Sequence, residues 1–149
     1  MIKPLIFDSY MAVIKNSIGS NMFRNFYAEI DGVKKDILEN GDLSCAIFVS
    51  NILHMFNLIK GPHVTVASTI NDIKNFGWQE ISELRVGAII FWESVDFGKT
   101  GFHSHVGFYV GENMAISNNS ETGMPSAHAY DFEGKRKIEA IYWNSKLEE

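Results

Sequence analysis

The feature that most constrains this chain is a change of pattern near Val86. Before it lie stretches with helical spacing, and after it every apolar run is short, β-prone and bounded by Gly, Asn, Asp or Lys. Leu5 to Asn16 predicts a short helix that ends before Ser17-Ile18-Gly19-Ser20. Asp31-Gly32 sits between two β-prone runs and predicts a hairpin, because both turn positions must accept positive φ. SCAIFVSNILHMFN, from Ser44 to Asn57, is too long for an ordinary strand and predicts a buried helix with Ser44 as N-cap. A further short helix is expected from Ser68 to Phe76, stopped by Gly77. VGAIIFWE, HSHVGFYVG, MAISN, AHAYDF and KIEAIYW then predict an antiparallel meander. Helices first and strands second mean α+β, with N-terminal helices packed on a C-terminal antiparallel sheet, and not a parallel βαβ fold.

The 149 residues show no repeat, linker or low-complexity tract, so a single domain spanning 1–149 is expected. The balance of 13 Lys and Arg against 18 Asp and Glu argues against nucleic acid or an anionic membrane as partner. Lys34-Lys35 and Lys135-Arg136-Lys137 are short and flanked by acids, and are expected to be solvated turn residues. Lys3, Asp8 and Lys15 interrupt the N-terminal apolar residues, and no run approaches the ~20 residues of a membrane span. The expectation is a soluble, cytoplasmic protein.

One cysteine excludes an internal disulfide and any four-cysteine metal site. Cys45, at the first position of the expected helix, would feel the positive end of the helix dipole and unpaired amide hydrogens. Both favour the thiolate, so a lowered pKa is expected; the alternative is a small buried hydrophobe.

A nucleophilic thiol needs a base, and five histidines are available. His54 lies half a helix circumference from Cys45 and cannot reach it. His63 and His128 lie in or beside loops, with no spacing that links them to Cys45. His105 opens the run HVGFYVG, and His103 precedes it on the same face if the strand already extends there. One of this pair is the natural partner. The two could instead chelate a metal, but that wants an acid soon after His105, where Tyr109 and Val110 stand. No cofactor or metal is expected.

Three segments then resemble the papain-fold cysteine peptidases and amidases of the NlpC-type and CHAP superfamily. LSCAIFVSNIL, from Leu43, looks like the nucleophile helix. LRVGAIIFWE, from Leu84, is similar to the family's apolar strand after a tight turn. HVGFYVGENMAISN, from His105 to Asn118, looks like the catalytic-histidine strand, a turn and the next strand, and it arrives 60 residues after the cysteine. The resemblance implies a Cys–His pair with a third polar residue orienting the imidazole, acting on a peptide or another amide-containing substrate through a thioester. Gly107 would leave room for a helix on the sheet.

Counting as in NlpC-type enzymes puts the third residue at Ser117. The CHAP pattern puts it at Asn118, which is favoured because an amide oxygen accepts well from imidazole. A one-residue change in the turn around Gly111-Glu112-Asn113 exchanges the two. The sequence departs from the family in Ser44 before the cysteine, in Ala46-Ile47 after it and in Val86-Gly87-Ala88 at the tight turn. Cell-wall peptide is the family's usual substrate. The other reading is a non-catalytic binding domain on this fold, with Trp92, Phe97 and Phe102 lining a recognition groove. The first helix and the Asp31-Gly32 hairpin are expected to form a lid or a partner surface.

Overall fold

The computed structural model describes residues 1–96 and 101–148, so Phe97 lies outside the described residues. The chain runs α1 (Ile6–Asn16), β1 (Tyr27–Ile30), β2 (Val33–Asp36), α2 (Cys45–Met55), α3 (Val66–Lys74), β3 (Trp78–Ile81), β4 (Ile89–Asp96), β5 (Phe102–Gly111), β6 (Met114–Asn119), β7 (Met124–Ala129) and β8 (Ile138–Asn144). This is an α+β fold. The described strands form a two-stranded hairpin and a six-stranded sheet ordered β3-β8-β4-β5-β6-β7, with antiparallel pairs throughout. β4 to β7 form the expected meander. The last strand departs from it, returning across the sheet to lie between β4 and β3. Among the described residues no helix is long and apolar enough to cross a membrane.

α2 is apolar on nearly every side, and a helix of that kind has to be central. Phe48 lies at the middle of a column of edge-to-face rings. Phe23 and Phe108 flank it at centroid distances of 5.1 and 5.6 Å, and Tyr10 then packs on Phe108 at 5.8 Å and on Phe56 at 5.9 Å. Such pairs add about 0.5–1.5 kcal/mol each beyond buried area, so the column ties α1 and α2 to the sheet. The Tyr10 hydroxyl donates to Gly87 O at 2.8 Å and fixes α1 over the entry to β4.

Several local expectations shift. α3 starts at Val66, where Thr65 caps it by accepting from Ser68 N; Ser68, the expected start, lies inside the helix. β3 was not expected; its four residues pair with β8 at the sheet edge. β7 begins earlier and ends earlier than AHAYDF suggests. Ser44 precedes α2, but its side chain makes no cap bond. It is fully buried, and among the described residues its Oγ has no partner.

The hairpin β1–β2 forms at Asp31-Gly32, with φ of 51° and 78°. Its strand residues do not line the cleft that holds Cys45, which counts against a lid; the loop that follows does line it, through Ile37, Asp42 and Leu43. Asp36 organises that loop. Its carboxylate accepts from the amides of Phe26, Leu38 and Asn40 and from Asn25 Nδ2, at 2.6–3.1 Å. These bonds outweigh desolvation and hold the carboxyl at about 2. At the loop's end Gly41, φ +96°, passes so close to Gly123 that a Cβ would lie 2.4 Å from its Cα. Arg24 joins the two segments by donating to Asn40 Oδ1 and Thr122 O.

Candidate active site

A cleft of about 1350 Å³ runs between the start of α2 and strands β5 to β7. Cys45, His103, His105, Ser117 and Asn118 all line it. So do His128 and Arg136, which the sequence reading did not place there.

Cys45 is the first residue of α2 and is partly exposed. The backbone groups of Val106, Ala46 and Cys45 itself favour its thiolate, as does the charge of Arg136. Burial nonetheless outweighs them and pushes the thiol up to about 11. The thiol therefore moves opposite to the direction expected from a helix terminus: the stabilising groups are present, but a helix embedded in the core imposes low-dielectric surroundings on its first residue.

Arg136 is not a solvated turn residue. It is half-buried, with Nε donating to Glu93 O at 3.0 Å and Nη2 to His103 O at 2.6 Å. These bonds hold the guanidinium where its charge acts on both Cys45 and His105.

His105 Nε2 lies 2.9 Å from Ser117 Oγ, and the same oxygen lies 2.6 Å from His128 Nε2. His128 Nδ1 is 2.8 Å from Ala129 O. Burial, then Arg136, then His128 push the His105 imidazole down to about 3, and burial lowers His128 as well. Both rings are therefore neutral at pH 7. Trp92 packs beside them, its centroid 5.4 Å from His105 and 5.6 Å from His128. It is fully buried, and its Nε1 donates to Tyr130 O, so it supports the histidines and does not line a groove. Phe102, by contrast, is exposed and does line the cleft.

Asn118 does not reach His105. Its Nδ2 donates to Gly41 O at 2.8 Å, toward the loop before α2. A bulge explains the outcome. The two-residue turn Glu112-Asn113, φ 53° and 61°, pairs Gly111 with Met114, but the next pairs are Tyr109 with Ala115 and Phe108 with Ile116. Val110 is thus the extra residue on β5. Without it, Gly107 would face Asn118. With it, the register continues to Ser117, and a Cβ on Gly107 would meet Ser117 Cβ at 2.8 Å and the Trp92 ring at 3.0 Å. Gly107 therefore makes room for Ser117 and Trp92, and not for a helix.

The remaining histidines lie elsewhere. His54 is exposed near the far end of α2. His63 pairs with Asp72 at 2.6 Å, and its backbone is tied to Ser50 on α2. Among the described residues no group of three or more His, Cys, Asp or Glu is placed to hold a metal ion, and Nε2 of His105 is engaged by Ser117.

No protein-family model matches the chain, and no curated protein matches it. Among solved structures it is similar to the structure of NlpC2 from Trichomonas vaginalis, with a TM-score of 0.56 and 16% sequence identity. The likeness covers 96% of this chain and 50% of that one, so the chain spans about half the length of the protein it matches. At that identity the shared property is the fold, which is NlpC-like.

Proposed function

We propose that the chain is a cysteine hydrolase of amide bonds, a peptidase or amidase, with Cys45 as nucleophile and His105 as general base. The observation that carries this reading is the placement of both residues on one open cleft, Cys45 at a helix N-terminus with the backbone of Val106 acting on its sulfur. His105 is the residue before Val106, with one ring nitrogen already held by Ser117.

In this reading Cys45 Sγ attacks the carbonyl carbon of a peptide or other amide, and its proton passes to the free nitrogen of His105. The carbonyl oxygen takes up the negative charge, opposite free amides at the start of α2. The C–N bond then breaks, the amine leaves with the proton from His105, and a thioester remains on Cys45. Water next attacks the thioester while His105 takes its proton; the C–S bond breaks, and the thiol and a carboxylic acid are released. Arg136 supplies a fixed positive charge that lowers the cost of the developing thiolate.

The test is labelling by an electrophilic activity-based probe for cysteine hydrolases, compared between wild type, Cys45→Ala and His105→Ala. Strong labelling of the wild type at pH 7 to 8, abolished in Cys45→Ala and reduced at least about a hundredfold in His105→Ala, is expected. If His105→Ala were labelled like the wild type, the base assignment would be wrong and a recognition domain on this fold would be the better reading.

A further inference from the structure

His128 enters neither the chemistry above nor any spacing rule, yet both of its ring nitrogens are engaged, one by Ser117 Oγ and the other by Ala129 O. Its ring stacks on Phe132 at 4.1 Å and 15°, and Phe132 itself holds a left-handed φ of 53°. A bulky residue in that region costs free energy, so the turn persists only where its surroundings hold it there.

Donor accounting then fixes each proton. A carbonyl oxygen can only accept, so the 2.8 Å contact of His128 Nδ1 with Ala129 O puts the ring hydrogen on Nδ1. In the neutral ring Nε2 is then bare, and the 2.6 Å contact requires the Ser117 hydroxyl to donate to it. Having given its only hydrogen, Ser117 Oγ can only accept from His105 Nε2, which leaves Nδ1 of His105 as the unprotonated nitrogen.

We propose that His128 is a positioning residue that acts through the Ser117 hydroxyl to hold His105 as the Nε2–H tautomer with Nδ1 free to take the thiol proton. Its catalytic meaning rests on the hydrolase reading; its geometry does not. A hydroxyl that donates to His128 is a better acceptor for His105 Nε2–H, and that acceptor stabilises the imidazolium formed when Cys45 gives up its proton. If His128 were protonated, Nε2–H would donate to Ser117, the hydroxyl would turn to donate to His105, and Nδ1 would carry the hydrogen. The site would then lose its base. Among the described residues, the other charged or titratable groups of this region include Asp42 before α2, Cys45 on α2, Glu93 on β4, His103 on β5, Glu121 after β6, and Lys135 and Arg136 before β8, with Arg136 opposing any proton on His105.

Two measurements test this. In the protein labelled with ¹⁵N-histidine at pH 7.5, imidazole spectra should show His105 protonated at Nε2 and His128 at Nδ1; the Nε2–H tautomer in His128 overturns the relay without any variant. Second, alkylation of Cys45 by iodoacetamide is followed against pH in Ser117→Ala, His128→Phe, the double variant and His128→Gln. His128→Phe keeps the stacking on Phe132 but removes the acceptor, and should slow alkylation at pH 7 by at least about tenfold. Ser117→Ala should match it, with no further loss in the double variant, because the two act as one chain. His128→Gln, which keeps an acceptor but carries no titratable proton, should recover to within about threefold and flatten the acid limb of the profile. Wild-type rates in His128→Phe, additive losses, or equal losses in the Phe and Gln variants each overturn the proposal. Should the hydrolase reading fail instead, probe labelling would not depend on His105 while both tautomers stayed as assigned.

Discussion

Cys45 and His105 reach the cleft from two walls that satisfy their polar groups differently. On the histidine wall the contacts from His105 to Ser117, His128 and the Ala129 carbonyl form one unbroken chain. On the helix wall Ser44 Oγ and Asn118 Oδ1 are buried without a partner among the described residues, and the thiol is pushed up to about 11 by burial. In the proposed reading the contrast separates two tasks: His105, as base, is held in one tautomer before anything binds, whereas Cys45, as nucleophile, rests protonated. A buried helix can supply the positive end of its dipole, but the same burial desolvates the thiolate, and in this chain burial is the larger effect.

The histidine wall is broken most strongly by acid. His105 is held near 3 in the folded chain against an ordinary value of 6.5, so between those pH values the unfolded chain binds a proton that the folded chain refuses. Stability is full above about 6.5 and falls as pH falls, by up to about 1.4 kcal/mol per pH unit for each such proton. His128, also lowered, steepens the loss. Urea midpoints from pH 8 to 5.5 measure this above the range where most carboxylates titrate. The slope should lessen in His105→Gln, and an unchanged slope would show that the imidazole is not the group refusing the proton.

Gly107→Ala attacks the same wall by volume. The new Cβ would meet Ile116 O and Ser117 Cβ at 2.8 Å, and backbone cannot move aside cheaply. A loss of about 1–3 kcal/mol is expected from overpacking. Displacement of Ser117 should slow Cys45 alkylation as well. Thermal unfolding and alkylation rates on one sample check both, and an intact rate in a destabilised protein would detach Gly107 from the site.

Asn118 sharpens the contrast, because it sits one residue from Ser117 and serves the other wall. Asn118→Ala leaves Gly41 O without its donor and should cost about 1–3 kcal/mol, while the pH dependence of alkylation keeps its wild-type shape. A changed acid limb would return Asn118 to the role that the CHAP pattern suggested.

These residues also mark how far the sequence could be read. The placement of Cys45 and His105 on one cleft was legible because each depends on local pattern: an apolar helical stretch with a polar residue before it, and a histidine opening an alternating strand. The choice between Ser117 and Asn118 was not, because it turns on the single extra residue Val110, and a bulge leaves no mark in composition. β3 was missed as a four-residue edge strand whose pairing partner, β8, lies some sixty residues later. Arg136 reads as a surface charge until Glu93 and His103 carbonyls are brought to it from the sheet. His128 had a usable signal. Ser126 pairs with Ser117 and His128 with Ala115, so alternation puts all four on one face once the β6–β7 register is known.

Ser44 gives the smallest effect and the cleanest statement about the helix wall. Removing a serine N-cap ordinarily costs about 1 kcal/mol, because its hydroxyl holds one of the free amides of the first turn. Here the side chain holds none, and its buried oxygen has lost water without gaining a partner among the described residues. Ser44→Ala removes that desolvated oxygen together with nothing else that bonds. The urea midpoint should therefore stay within about 0.5 kcal/mol of wild type, or rise. A loss of about 1 kcal/mol or more would mean that the hydroxyl is engaged in solution, and the helix wall would then be satisfied much as the histidine wall is.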